Sequence, residues 1–169
     1  MARRAHIALH APGFTLLEAI ITLVIAGVLA TIGATLMSGG FRNYFLGREL
    51  AQDAAQGALA LERMTRDLRT VRSAADLTTI GASTISFVDV DGNTITYALS
   101  AGSVTRTQNL GTAQALAANV SSLAFTYLQN DGQNTAVTPA TVSYITVAVT
   151  VASQNASTTF RGTVKPASF

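Results

Sequence analysis

Cysteine is absent from all 169 residues, and the two histidines, His6 and His10, both fall within the first ten. Beyond residue 13 the chain therefore has neither thiol nor imidazole, which removes Ser-His-Asp and Cys-His catalysis and the usual zinc ligands together. Lysine occurs once, as Lys165. An enzyme would have to run on carboxylates alone, and the acidic residues beyond the N-terminal apolar run form no paired motif, so no catalytic activity is expected. Charge is sparse, at 12% of residues. Of the eleven basic residues, Arg3 and Arg4 precede residue 13, leaving nine against nine acidic ones. The sequence pI of about 9.4 thus partly reflects the first few residues. No basic stripe marks a nucleic-acid partner.

What is present is a long apolar run interrupted by one acid. From Phe14 to Phe41 the only charged residue is Glu18, so the segment has membrane length. A carboxylate near the bilayer centre costs roughly 2.5–3.5 kcal/mol on insertion scales, and less near an interface. Some partner must compensate it. Arg3 and Arg4 just before the run fit a single span with the N-terminus inside. A secretory signal peptide fits poorly, because it carries an apolar core of only ~7–15 residues followed by a small-residue cleavage site. Here the run continues to Met37 and the glycine comes first.

Gly13-Phe14-Thr15-Leu16-Leu17-Glu18 after a short basic leader resembles the cleavage-and-methylation signature of type IV pilins and type II secretion pseudopilins. The resemblance implies that a prepilin peptidase cuts between Gly13 and Phe14, that the new amino group of Phe14 is methylated, and that Glu18 recruits the subunit into a filament. Elementary electrostatics agrees with the last role. Cutting before Phe14 creates an ammonium one helical turn from Glu18, and residues at i and i+4 face each other. An acid in the first turn also suits the helix dipole. The carboxylate can be neutralised by its own terminus or by that of an adjacent subunit. Thr22, Ala26, Ala30 and Ala34 form a small-residue row that allows close helix packing within a membrane. Related filaments often carry a proline in this region; this chain has none between Pro12 and Pro139. The missing cysteines also depart from the disulfide-closed loop of many major pilins and point to a minor pilin or pseudopilin.

The resemblance implies an α+β fold of ladle shape, with a long N-terminal helix packed on a small antiparallel β-sheet domain. Four segments are expected: a cleaved leader (1–13), a transmembrane and filament-core helix (14–40), an amphipathic helix (41–75) and a sheet domain (76–169). Helix is expected to about Arg72, with an interruption at Ser38–Gly40. The periodicity of Leu46, Leu50, Ala54, Ala58, Leu61, Met64 or Thr65, Leu68 and Val71 predicts the face that packs on the sheet. Arg48, Glu49, Asp53, Glu62, Arg63, Arg66, Asp67 and Arg69 are assigned to the remaining surface, with Glu62 and Arg66 as an i,i+4 pair. The stretch from Ala58 to Arg69 further resembles the equivalent helix of J-type and W-type minor pilins and of the O-type pilin in mannose-sensitive haemagglutinin systems.

After Ala75 the composition turns to Thr, Ser, Gly, Asn and β-branched residues, which predicts strands. Thr84–Val90 and Asn93–Leu99 flank Asp91-Gly92, a two-residue hairpin signal that sets Val88 opposite Ile95 and Ser86 opposite Tyr97. Further strands are predicted at Val104–Gln108, Val120–Leu128, Tyr144–Val151 and Phe160–Val164, with a short helix at Ala113–Ala118 and a polar loop at Asn130–Thr141. Asp89-Val90-Asp91-Gly92-Asn93 looks like the start of a calcium loop, but the twelfth position is Ser100 rather than glutamate. A turn explains the same residues, and neither metal nor cofactor is expected. The implied partners are the prepilin peptidase, other pilin or pseudopilin subunits, an inner-membrane assembly platform and the lipid bilayer. Two roles follow from the resemblance, a minor pilus subunit or a J-like subunit at the tip of a secretion pseudopilus; the polar loop Asn130–Thr141 and a sheet surface rich in Thr, Asn and Ser also suit a displayed module that engages sugars or a host surface.

Overall fold

The structure is a computed structural model that describes residues 15–153 and 156–166. Its first element is a single helix, α1 (Leu16–Leu68). The chain divides into two compact units at Leu46/Gly47. In the first, α1 runs unbroken through Ser38–Gly40 rather than being interrupted there. Ser38 Oγ donates to the Thr35 carbonyl at 3.0 Å, so the serine is accommodated inside the helix. The helix also ends earlier than its hydrophobic period suggests. Arg69, Thr70 and Val71 donate backbone bonds to the carbonyls three residues back, which tightens the last turn into 3-10 geometry. Val71 is nevertheless fully buried, so its place in the period reflects packing rather than helix.

In the second unit the buried side of α1 is Asp53, Gly57, Ala60, Met64 and Leu68. The predicted face is therefore correct at Met64 and Leu68 and rotated at its start. Ala58 is exposed, and Leu50, Ala54 and Leu61 are only half-buried. Asp53 and Asp67, assigned to the surface, are turned inward; Asp53 is 7% exposed. The reason is specific chemistry on the facing strands, described below. Gly57 sits where a Cβ would fall 2.5 Å from Val151 Cγ2 and 3.2 Å from Phe160 Cε2. This close approach of helix to sheet requires a residue without a side chain.

A 3-10 turn (Ala74–Asp76) leads into eight strands. They are β1 (Leu77–Ile80), β2 (Thr84–Val88), β3 (Thr94–Ser100), β4 (Ser103–Gln108), β5 (Gln114–Ala117), β6 (Val120–Leu128), β7 (Tyr144–Ser153) and β8 (Ala156–Val164). They make not one sheet but two antiparallel sheets, β1-β2-β3-β4-β5 and β6-β7-β8. Backbone bonds from Val120 N to Gly102 O and from Phe125 N to Ala82 O, both 2.8 Å, join them. The core forms where the alternating apolar faces meet α1. Ile85, Phe87, Ile95 and Tyr97 come from the first sheet, and Ile145, Val147 and Val149 from the second, all 0% exposed. Each such side chain stabilises the fold by roughly 1.5–3 kcal/mol through burial. The expected alternation of Leu123, Phe125 and Tyr127 in β6, and of Ile145, Val147, Val149 and Val151 in β7, is realised.

Three strand expectations are corrected. The β2–β3 pairing is shifted by one residue: Val88 faces Thr94, Phe87 faces Ile95 and Ser86 faces Thr96. The connection is a five-residue loop, not a two-residue turn. Asp89 Oδ1 accepts the backbone N–H groups of Asp91 (2.9 Å) and Asn93 (2.8 Å), and Gly92 takes φ +82°. The shift matters because a one-residue slip reverses both faces of a strand; the observed register puts Ile85, Phe87, Ile95 and Tyr97 together in the core. The segment Ala113–Ala118 forms strand β5 rather than a helix. Six residues are too few to sustain a helix alone, whereas the edge of β4 offers backbone partners at Val104, Thr105 and Arg106. Strand β1 was not anticipated; it is short and irregular, with a register shift between Leu77 and Thr79.

Candidate functional site

The N-terminal part of α1 is the first candidate. Thr15 precedes the helix and caps it, its Oγ1 accepting the Glu18 N–H at 3.2 Å. Thr15-Leu16-Leu17-Glu18 has the spacing of a capping box, which fixes where a helix begins. The sequence signal for this cap is a threonine three residues before a glutamate, within the same residues that carry the cleavage signature. Glu18 therefore lies in the first turn of α1, exposed on its surface.

The other hydroxyls of the apolar run are satisfied internally. Thr22 Oγ1 donates to the Glu18 carbonyl at 2.7 Å, Thr31 Oγ1 to Gly27 O at 2.8 Å and Thr35 Oγ1 to Ile32 O at 2.8 Å. Back-bonding of this kind hides polar groups inside the helix itself. Around them Leu16, Ile20, Leu23, Val28, Ile32 and Leu36 are all at least half exposed, so this part of the helix is apolar around its circumference. It is the one described helix long and apolar enough to cross a membrane. From Leu16 to Tyr44 it rises roughly 42 Å, against ~40–45 Å for a bilayer with its headgroups. Phe41, Tyr44 and Phe45 are exposed at its far end beside Arg42, the composition of a membrane–water boundary.

Among the sequence-predicted site residues, Gly13 and Phe14 lie outside the described residues. Thr22, Ala26, Ala30 and Ala34 are all on the exposed surface of α1, in an i, i+4 row of the kind along which packed helices interlock.

The polar clusters of the second unit hold the fold together. Asp67 Oδ2 accepts both the Tyr97 hydroxyl (2.8 Å) and Arg106 Nε (3.0 Å), while its Oδ1 accepts Arg63 Nε (3.1 Å). Burial, reinforced by the bond to Asp67, pushes the Tyr97 phenol well above its ordinary pKa. Burial pulls the Arg106 guanidinium down, but its bond to Asp67 and the surrounding negative potential raise it overall. Asp53 Oδ2 accepts Asn119 Nδ2 at 2.9 Å. Asn119 stands in left-handed backbone at φ 55°, a conformation that asparagine tolerates better than most residues. The Tyr127 phenol is also raised by burial, and its hydroxyl donates to Gly81 O at 3.0 Å. The Asp89 carboxyl is raised by partial desolvation, yet bonds from Asn93 and Asp91 win and hold it below its usual value. Its oxygens are thus engaged by the turn. The Glu62–Arg66 pair is present and exposed on both sides, and is worth a few tenths of a kcal/mol.

The fold and the N-terminal helix together define an α+β protein of pilin-like architecture, with one long apolar helix and antiparallel sheets. Residues 10–34 match the prokaryotic N-terminal methylation motif. That match spans Gly13, Phe14, Glu18 and the small-residue row, and it supports a type IV pilin-like family, whose subunits are structural rather than enzymatic. It implies processing by a prepilin peptidase and assembly with other pilin subunits, and with the apolar helix it fits anchoring in the inner membrane. No curated protein matches the chain.

Proposed function

We propose that this chain is a minor pilin-like subunit of a type IV pilus-type filament, cut between Gly13 and Phe14 and methylated on Phe14. The observation that carries the reading is Glu18 within the matched motif, in the first turn of a helix whose hydroxyls are bonded internally. A carboxylate so placed in lipid is unfavourable until an ammonium pairs with it. The Phe14 amino group of the same or a neighbouring subunit supplies that charge. An incoming subunit then docks by electrostatics, and the row Thr22, Ala26, Ala30 and Ala34 lets helix backbones approach closely. Before assembly the chain spans the inner membrane once, leader inside and sheet domain in the periplasm. The assembly platform extracts it into the filament, where it initiates, caps or tunes the polymer.

Intact-mass measurement on protein purified from its native membrane tests the reading. The expected mass is that of the chain starting at Phe14 and carrying one added methyl group. Full-length, unmethylated protein would overturn the proposal. Deletion of the gene separates a pilus from a secretion pseudopilus, since only the first loses surface filaments while protein export continues.

A further inference from the structure

The second sheet has one edge that the chain leaves bare. At its other side β6 is joined to the first sheet through Val120 and Phe125. The edges of the first sheet, β1 and β5, are four residues each and irregular, with register shifts between Leu77 and Thr79 and between Val104 and Thr105. Short or bulged strands are a common way to blunt an edge against pairing. Strand β8 is different. Its nine residues follow β7 without a register shift, giving about 30 Å of extended backbone. It contains no proline. Among the described residues no backbone group of β8 bonds anything but β7, and residues 156–159, Arg161 and Thr163 are exposed.

The helix beside this edge is only partly covered as well. Asp53, Gly57, Ala60, Met64 and Leu68 form the buried side of α1. Ala54, Ala58, Leu61 and Thr65 make the next row around the helix, at spacings of three and four. That row faces β8: Leu61 and Thr65 lie closest to Gly162, and Leu50 and Ala54 border a narrow space with Ala156 and Thr158. Yet Leu50, Ala54 and Leu61 are half-buried and Ala58 is exposed. The hydrophobic period of α1 thus includes residues that the chain's own three-stranded sheet stops short of. One more strand beside β8 would lie next to them, because neighbouring strands are about 4.8 Å apart.

Charge selects the kind of strand. Strands β6, β7 and β8 carry a single charged side chain, Arg161, and no acid; Lys165 follows directly after β8. Arg161 is exposed and has no acidic partner among the described residues. Opposite charges across paired strands stabilise the pair, and like charges do the reverse. A second copy of β8 laid against the first would bring only cations together. We propose that the free edge of β8 is a docking site for an acidic, β-branched strand of another protein, taken up by strand addition. The backbone of that strand extends the ladder, its carboxylate meets Arg161 on the outer face, and its apolar residues cover Ala54, Ala58 and Leu61. The inference needs neither leader removal nor polymerisation, so it stands apart from the filament reading.

The test uses the full chain in detergent micelles and three labelled peptides matched in length to β8. One alternates valine with glutamate and threonine, the second has lysine in place of glutamate, and the third has a central proline. Fluorescence anisotropy reads binding, and amide hydrogen exchange locates it. The glutamate peptide is expected to bind and to slow exchange in β8. Lysine should weaken binding at least tenfold, and so should proline, which removes a ladder donor. Arg161→Glu, an exposed change, should reverse the order of the glutamate and lysine peptides and leave the unfolding midpoint at its wild-type value. No binding of the glutamate peptide, equal binding of the lysine peptide, or binding without protection of β8 would each overturn the proposal. Protection of β8 that rises with protein concentration alone would also overturn it, by making a second copy the occupant. Peptide binding by a chain that retains its leader would refute the filament reading and leave this one standing.

Discussion

Replacing Asp67 with alanine should unfold the sheet domain more readily than any exposed charge change on α1. The carboxylate carries three bonds from three different environments. Arg63 is 50% exposed on its side chain, so its share is at most a few tenths of a kcal/mol. The Tyr97 ring is 0% exposed, and stranding its hydroxyl costs about 1–3 kcal/mol. Arg106 is 13% exposed; breaking a fully buried pair costs about 3–5 kcal/mol, but Gln108 still accepts from Nη1, so about 2 kcal/mol is assigned here. The sum is roughly 3–5 kcal/mol, a large part of the ~5–15 kcal/mol that holds a typical domain. At about 3–5 °C per kcal/mol for a domain of this size, Tm should fall by roughly 10–25 °C. The assay is thermal unfolding in detergent micelles, followed through the near-UV signal of the buried tyrosines. Arg63→Ala should shift Tm by less than ~2 °C. Asp67→Ala/Arg106→Met should recover part of the loss by removing the stranded charge. An Asp67→Ala protein within ~1 kcal/mol of wild type, or an equal effect from Arg63→Ala, would refute the assignment of Asp67 as the anchor of helix to sheet.

Other consequences are equally direct. Gly57→Ala gains about 1 kcal/mol of helix propensity but forces its Cβ onto Val151 and Phe160, where overpacking costs about 1–3 kcal/mol; a net loss of about 1 kcal/mol is expected by urea unfolding. Gly47→Ala, with nothing within 4 Å of its Cβ, should not destabilise at all, and a loss there would show that the helix is not the relevant reference. Tyr97 and Tyr127 both have raised phenol pKa values in the fold, so the unfolded chain ionises first. Their contribution is complete below about pH 10 and is lost as pH rises above it, by up to ~2.7 kcal/mol per pH unit with both phenols titrating; Tyr127→Phe should flatten that slope in alkaline unfolding curves. Glu18→Ala should leave membrane insertion and leader removal intact while cutting incorporation into filaments, read by immunoblot of sheared filaments; normal incorporation would end its proposed role. Gly13 replaced by a bulky residue should leave the leader attached, visible as an unshortened and unmethylated mass.

The N-terminal helix and the strand-rich remainder could be read from the chain because their causes are local. An apolar run without proline, a lone acid at a fixed distance from a glycine, and the alternation of Ile145, Val147, Val149 and Val151 are all properties of neighbours in sequence. Burial then followed the alternation in β6 and β7, since a strand with one apolar face has only one way to hide it. What only tertiary structure decided were the positions whose partners are distant. Asp53 and Asp67 turned inward because Asn119, Tyr97 and Arg106 reach them from 30 to 66 residues away. Gln114–Ala117 became a strand because β4 had a free edge, and the β2–β3 register moved by one residue because Asp89 capped a longer loop. Periodicity states which residues need burial; it does not state which remote donor will reach an acid or which backbone edge stands open, and those two facts set the inward face of the helix and the fifth strand of the first sheet.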